Sequence, residues 1–541
     1  MFWPRTSESR AIPVNVEEGD QEIAWLYAAT NTAPWERFVK AVETARDRLR
    51  AAKDPFRLEI EEGNAFPLQT AAVPELALSV PGKPGRLWVR WYKITSALTQ
   101  QHWVSALLSR KPTPLAVIGG SSSDLAIDLA KRLKQEAGLR GLAKAAPLLL
   151  LTLATADAVA EQPGLPEESL HGVYPGRTFR FCFTNRQMAE AVTDFIWSQS
   201  DLRPDSDPLY VTHWQDDPYS CDLNRRFLDA VRLPAIRAAA RDWAAWAGYT
   251  ITGGIPLSGG DQWWSQFRLA TPESTSIPYS VGTFDHPNRW EVEAARYLIE
   301  TKLNKYPDQQ RPLLLVPAAS QPVRRLLRAL MRFAPREAQR FVVATGDAIT
   351  FNTVYRDRNV AWPIQDLPFS LVFFCHRNPV EKAAGFRRHS PSRSADDAQD
   401  DASQAGTEDL LLFVDIVEAL VQASYKDNRL ITDADQLGHK LSEARWLKSS
   451  ERVCFDPEGQ PLFDSEGNRR SGTGEHVVYL RPVTRGEEIL ALARIEVCPW
   501  QPDLLNGKQW GKSQVLEVEY EGAASVDAEP LGANGAASPA P

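Results

Sequence analysis

Pro147 is followed by Leu-Leu-Leu-Leu-Thr-Leu, a stretch ending at Leu153 with no alternation of apolar and polar residues. A strand with one wet face alternates with period 2, so an unbroken run needs apolar cover on both faces, as in a parallel sheet between two helix layers. The same pattern returns in Leu115-Ala-Val-Ile, Pro312-Leu-Leu-Leu-Val, Phe341-Val-Val-Ala and Phe369-Ser-Leu-Val-Phe-Phe-Cys. Helical periodicity fills the intervals, in Leu125, Leu129 and Leu133, in Met188 to Trp197, in Leu223 to Trp246, in Trp290 to Leu303 and in Val323 to Phe333. Further strands are expected at Glu22 to Ala28, Leu209 to Trp214 and Gly248 to Thr252. Repeated strand and helix alternation predicts an α/β protein with parallel sheets and right-handed crossovers. So many strands exceed one comfortable open sheet and predict two sheets in two lobes.

Bulk properties narrow the class. The 541 residues are 43% hydrophobic and 24% charged, which excludes fibrous and wholly disordered chains. A net charge of −8, with no basic block, argues against electrostatic capture of nucleic acid or an anionic membrane. The five cysteines, at 182, 221, 375, 454 and 498, are scattered, and no Cys-x-x-Cys or His-x-x-x-His spacing offers a metal site; no cofactor is expected. The N-terminus lacks the apolar core of a secretory signal, and the longest apolar stretch, 147–160, is shorter than the ~20 residues a bilayer needs. A cytoplasmic protein is the expectation for the sequence as written. A periplasmic or membrane-anchored one is expected if a segment precedes Met1.

Two strand ends carry the polar groups a ligand would need. Gly119-Gly-Ser-Ser-Ser123 follows one buried strand and opens a helix, with Ser123 as the expected cap. Free N–H groups, a positive helix end and three hydroxyls suit a carboxylate or phosphate. Thr152-Leu-Ala-Thr-Ala-Asp157 follows the next buried strand. Adjacent parallel strands end side by side, so Ser122, Ser123, Ala154, Thr155 and Ala156 are expected to converge. The spacing fits neither a Walker A loop nor a Gly-x-Gly-x-x-Gly fingerprint.

The order of several segments resembles the type I periplasmic-binding-protein family, above all substrate-binding proteins of branched-chain amino acid ABC transporters. The segments are Ala24-Trp-Leu-Tyr-Ala with Trp35-Glu-Arg-Phe-Val, Val117-Ile-Gly-Gly-Ser-Ser-Ser, Leu153-Ala-Thr-Ala-Asp, Phe179-Arg-Phe-Cys-Phe-Thr-Asn, Trp214-Gln-Asp-Asp-Pro-Tyr-Ser and Phe463-Asp-Ser-Glu-Gly-Asn-Arg. The resemblance implies two Rossmann-like lobes joined by a hinge of crossing strands, closing on a small amino-acid-like ligand without catalysis. In its terms Ser122, Ser123, Ala154 and Thr155 hold an α-carboxylate, Tyr219 reaches in from the second lobe, and Asp347 meets the ligand amine. An ABC permease or a signalling protein is the implied partner. The chain then divides into a flexible lead-in (1–20), first lobe (21–183), second lobe (184–338) and a first-lobe return (339–448) holding a disordered insertion at 387–406. A second-lobe return with hairpins (449–520) and a disordered tail (521–541) follow. Two departures stand out: Tyr219 is followed by Ser220 where the family has Gly, and Val316-Pro-Ala-Ala-Ser320 lacks an aromatic or acidic partner for a ligand.

Two other readings are open at this level. Gly119-Gly-Ser-Ser-Ser123 differs from a Gly-x-Ser-x-Gly nucleophile elbow only at its last position, which makes a serine hydrolase with Ser121, Asp347 and His376 conceivable. A ligand-free scaffold would instead use the 387–406 insertion or the Trp263-Trp264 region to recruit a protein. Asp216-Asp217 reads as a turn rather than a cation site, and Arg356-Asp-Arg358 as a solvated loop.

Overall fold

The computed structural model describes residues 10–52, 56–67, 72–142, 145–160, 167–202, 210–231, 273–278, 286–303, 312–350, 367–380, 408–425, 429–485, 488–501, 509–511 and 513–519. The first sheet comprises β1 (Gln21–Ala28), β2 (Glu59–Ala65), β3 (Val73–Ser79), β4 (Leu87–Ile94), β5 (Ala116–Gly119) and β6 (Leu148–Leu151). After a small antiparallel pair, β7 (Ala158–Ala160) with β8 (Glu167–Ser169), it gains β9 (Thr178–Arg180), in the order β2-β3-β4-β1-β5-β6-β9. It is parallel from β4 to β9. Helices α1 (Ala33–Ala51), α2 (Gln100–Ser109), α3 (Ser123–Leu139) and the short α4 (Leu170–Val173) accompany it.

The leucine run behaves as its pattern demands. Leu148 and Leu150 join Ile23, Trp25 and α1 in one core, while Leu149 and Leu151 join Ala24, Leu26, α2 and α3 in the other. Each such leucine, removed from water, contributes about 1.5–3 kcal/mol. The second sheet repeats the scheme. It comprises β10 (Tyr210–Trp214), β11 (Glu273–Ile277), β12 (Leu313–Leu315), β13 (Val342–Ala344) and β14 (Ser370–Cys375), all parallel. Leu314 faces α7 (Arg289–Tyr297) and α8 (Ser320–Phe333), and Leu313 and Leu315 face α5 (Asn185–Ser198) and α6 (218–231). A π-helical turn, Leu298–Leu303, extends α7, and α9 (Pro335–Ala338) follows α8.

The chain then returns to the first lobe. Helix α10 (Glu408–Ser424) places Phe413 5.5 Å from Trp25, centroid to centroid. Helix α11 (Ala434–Ser442) and a three-stranded sheet of β15 (Arg445–Leu447), β16 (Arg452–Cys454) and β17 (Gln460–Pro461) extend that core. Finally β18 (His476–Arg485), β19 (Glu488–Gln501), β20 (Gln509–Trp510) and β21 (Gln514–Glu519) add antiparallel strands to the second sheet beyond β14. Among the described residues no helix is long and apolar enough to cross a membrane.

Three expectations need correction. The first-lobe return does not begin at 339: β13 and β14, buried along their length, sit in the interior of the second sheet between β12 and β18, and the return begins with α10. Residues 449–463 belong to the first lobe, because Trp446, Val453, Leu462 and Phe463 bury in its core. The lead-in is pinned rather than free over 10–20: the Val14 N–H donates to Tyr92 Oη, and Asp20 accepts from the Arg86 N–H (2.8 Å) and Trp88 Nε1 (2.8 Å). Strands β2 to β4 and helix α2 had no sequence expectation at all. The expected strand at 248–252, the 387–406 insertion, Trp263-Trp264, Arg356–Arg358 and the 521–541 tail lie outside the described residues.

At the junction of the lobes stands a buried charge cluster. Asp415 of α10 lies 2.8 Å from Arg469 and 3.4 Å from Arg377, and all three are fully buried. Arg377 follows β14, and Arg469 lies on the segment crossing back to β18, so both crossings meet one first-lobe carboxylate. Both guanidiniums lie over Trp446, at 4.4 and 5.2 Å, and Arg469 also lies over Phe183. Arg469 further donates to the Phe181 carbonyl and Thr473 Oγ1. Removing one partner from such a cluster leaves buried charge uncompensated, which costs about 3–5 kcal/mol. Asp415→Asn keeps the shape and removes the charge, so the thermal unfolding midpoint of the variant should fall well below that of the parent; an unchanged midpoint would refute the role given to Asp415.

Candidate functional site

The strand tips of the first lobe converge as their order predicts. Gly119 ends β5 and Gly120 turns the chain with φ +73°, where a Cβ would stand 2.6 Å from that of Ala126. Ser122, not Ser123, is the N-cap of α3, and its hydroxyl makes no capping bond. Ser123 turns its Oγ toward the neighbouring tip and accepts from the Ala156 N–H at 3.1 Å. Ala154 and Thr155 are buried, and the Thr155 hydroxyl has no hydrogen-bond partner among the described residues. The first-turn amides of α3 have no helical acceptor, so they and Ser122 form the polar end of this tip.

The second lobe contributes a carboxylate held from two sides. Tyr219, in the first turn of α6, donates its hydroxyl to Asp347 Oδ1 at 2.8 Å. His376, just beyond β14, lies with Nε2 2.8 Å from Asp347 Oδ2. Its Nδ1 accepts the Phe183 N–H at 3.1 Å, so the ring proton is on Nε2 and is donated to Asp347. Gly346 makes room for the arrangement: a Cβ there would meet Tyr219 Oη at 2.6 Å and Leu223 Cδ2 at 2.7 Å. Burial raises the Tyr219 hydroxyl well above its usual range, and the Asp347 charge adds to this, so the phenol remains a donor. The Asp347 side chain keeps 16% of its surface exposed. Among the described residues each oxygen has one side-chain donor, which leaves lone-pair capacity that suits an incoming ammonium.

Between the lobes runs a set of polar contacts the sequence gave no reason to expect. The Asp157 N–H of the first lobe donates to Asp222 Oδ2 of α6 at 2.9 Å, and Asn185 Nδ2 donates to the same oxygen. Asp157 Oδ2 accepts from the Arg186 N–H at 3.0 Å and lies 3.2 Å from Arg226 Nε. Arg225 pairs through both guanidinium nitrogens with Glu167. Burial raises the Asp222 carboxyl above its ordinary range, and the neighbouring Asp157 charge raises it further. The Asn185 N–H donates to the Thr155 carbonyl, so the crossover into α5 is tied directly to the strand tip. Asn185 closes the Phe-Cys-Phe-Thr-Asn segment that the family resemblance singled out; for Asp222 and Arg226 no sequence signal existed, since the contact joins residues 65 or more positions apart.

The remaining candidates resolve plainly. His376 spends both ring nitrogens on Phe183 and Asp347, which leaves none to activate Ser121 and removes the base a serine hydrolase requires. Cys182 points its thiol at the Ala154 carbonyl, and burial pushes it up to about 12, so it is no nucleophile at neutral pH. Asp216 takes φ +64° and Asp217 accepts from the Ser220 N–H, the geometry of a turn that starts α6. A cavity of about 490 Å³ lined by Lys131, Lys134, Glu168 and Ser169 lies along α3 and α4 and includes neither the strand-tip hydroxyls nor Asp347.

No protein-family model and no curated protein matches the chain. Solved structures resemble it at low identity. The branched-chain amino acid transporter substrate binding protein from Streptococcus pneumoniae, in complex with isoleucine, is 11% identical, with 92% of this chain and 99% of that chain covered and a TM-score of 0.44. An ABC transporter substrate-binding protein from Desulfitobacterium hafniense in complex with Leu is 14% identical, with 87% and 100% covered and a TM-score of 0.45. A solute binding protein of an ABC transporter from R. palustris, in complex with 4-hydroxybenzoate, is 10% identical, with 87% and 95% covered and a TM-score of 0.46. The chemistry of the site therefore rests on the chain's own residues.

If the ionic contacts hold the lobes together, unpairing them should loosen the molecule. The double variant Arg225→Ala/Arg226→Met leaves Glu167, Asp157 and Asp222 as unopposed carboxylates at the interface. Small-angle scattering of the ligand-free variant should give a larger radius of gyration than the parent, and equal radii would show that the contacts do not restrain the lobes.

Proposed function

We propose that the chain binds a small, amino-acid-like solute between its two lobes, as a solute-binding or sensor protein without catalytic activity. The observation that carries this reading is Asp347. It is a partly exposed carboxylate oriented by Tyr219 and His376 at the end of the second sheet, where a ligand ammonium would find two oriented acceptors. Its complement is the first-lobe tip, where the unpartnered Thr155 hydroxyl, the Ser122 side chain and the free amides of α3 would take the ligand carboxylate. Ser123 would act indirectly, holding the Ala154–Ala156 turn through the Ala156 N–H.

The proposed mechanism is a shift of population. A ligand that touches both tips interacts with the closed arrangement and loses half its contacts in an open one, so it favours closure by that difference. Reversing a 99 to 1 preference for the open form takes about 5.5 kcal/mol. A few charge-assisted hydrogen bonds at about 1.5–3 kcal/mol each reach that sum. On this reading an ABC permease or a signalling protein would respond to the closed lobes.

Thermal-shift and calorimetric titration of the full chain against the twenty amino acids and a set of small carboxylic acids tests the reading. A ligand at a hundred times its Kd adds about 2.7 kcal/mol of stability, readily seen as a raised midpoint. Asp347→Asn should weaken binding of amine-bearing compounds by about ten- to a hundredfold, the worth of one ionic hydrogen bond. No response to any member of the panel would overturn the proposal.

A further inference from the structure

His376 lies outside the residues assigned to ligand contact, yet it has the most complete set of partners near the site. It is 5% exposed, its ring is stacked on Phe183 with an interplanar angle of 6° and a centroid distance of 5.9 Å, and Phe374 meets it edge-on at 5.3 Å. Nδ1 takes the Phe183 N–H, and Nε2 delivers the ring proton to Asp347 Oδ2. Phe183 belongs to the crossover from β9 into α5, and Arg377, the next residue after His376, is bound to Asp415 at the lobe junction. The imidazole is therefore a strut with one end on Asp347 and the other on the segment that crosses from β9 into α5.

We propose that His376 is a positioning residue for ligand recognition: it fixes the Asp347 carboxylate so that its free lone pairs face the cleft, and it links that carboxylate to the interlobe crossover. The proposal rests on the reading of Asp347 as the ammonium acceptor. Tyr219 alone would leave the Asp347 carboxylate free to turn about its last bond; the second donor, on the other oxygen, sets the carboxylate plane. The imidazole suits this role better than an ammonium or a guanidinium, because it donates to one side while accepting a backbone N–H on the other.

Two measurements on the full chain decide it. Nitrogen-15 NMR of protein labelled in its eight histidines should show one neutral ring protonated at Nε2 whose resonances vanish in His376→Gln and move in Asp347→Asn. A His376 ring protonated at Nδ1 instead, or one indifferent to Asp347→Asn, would overturn the proposal whether or not a ligand is known. The second measurement compares leucine with 4-methylpentanoate, the same acid without its amine. His376→Leu should weaken leucine binding by about tenfold or more while leaving 4-methylpentanoate unchanged, and His376→Gln, which can donate and accept in the same two directions, should recover most of the loss. Equal weakening of both compounds would assign His376 a merely structural role. Failure of the parent protein to bind leucine would count against the amino-acid reading, while the NMR result would still decide the placement of His376.

Discussion

The two lobes are α/β bodies, and where the chain crosses between them stands a carboxylate shared by two arginines. Asp415 belongs to the first lobe, Arg377 leaves the second, and Arg469 travels back toward it, so the fully buried triad pins both crossings to one point. Buried ion pairs are poor sources of net stability because desolvation offsets most of the attraction. Their worth here is geometric. Two guanidiniums on opposite approaches to one acid, each over the Trp446 indole, permit few arrangements. Glu475, which burial pushes up to about 7 against the lowering pull of backbone donors and of Arg469, shows how costly charge is in this region. One side of the candidate site is tied to that junction: Arg377 follows His376 in the chain, Phe183 under Arg469 donates to the other end of the ring, and His376 holds one oxygen of Asp347.

Legibility in the sequence followed burial. Strands covered on both faces announce themselves by runs such as Leu148–Leu151 and Phe341–Ala344, because neither face has a polar position to fill, and with the helical periodicity between them these indicate the α/β class and the two sheets. One strand that escaped notice carries a different pattern. Along β2, Glu-Ile-Glu-Glu-Gly-Asn-Ala is mostly exposed, so its sequence reads as loop and only pairing with β3 makes it a strand. Lobe assignment after residue 339 failed for a related reason. A short buried strand states that it lies inside a sheet but not inside which one, and β13 and β14 were placed by their neighbours β12 and β18, far away in sequence.

The candidate site was legible where it was local. Gly119 to Ser123 and Leu153 to Asp157 are strand-to-helix turns whose polar character can be read directly, and their convergence follows from adjacent parallel strands. The roles within them were finer than sequence could show. Ser122 occupies the N-cap position without a capping bond while Ser123 braces the neighbouring turn, a distinction set by the backbone dihedrals of one residue. Asp347 was singled out, yet its two donors come from positions 128 and 29 residues away, and no spacing rule connects Tyr219 or His376 to it. The same His376 and Asp347 look like the base and acid of a triad when only chain order is considered. Geometry reverses that meaning, since a histidine whose second nitrogen receives a backbone N–H can brace a carboxylate and cannot take a proton from a serine.

The ionic contacts between Asp157, Asp222 and Arg226 bear on how such a site would work. They sit where the first-lobe tip meets α6, beside the turn that would hold a ligand carboxylate, and they are made by the protein itself. If the lobes close on a ligand as proposed, contacts of this kind lower the cost of closure before any ligand contributes. A ligand then needs a smaller differential affinity than the full reversal of an open ensemble would demand, and weak solutes can be retained. The opposing consequence is specificity. Closure that the protein partly drives for itself discriminates less by overall binding strength, so discrimination must come from groups fixed in direction. A carboxylate held on both oxygens, by a phenol on α6 and an imidazole tied to the interlobe crossover, is such a group: on the proposed reading an ammonium arriving along its free lone pairs would be accepted without reorganisation, and a ligand lacking one would leave those lone pairs unused.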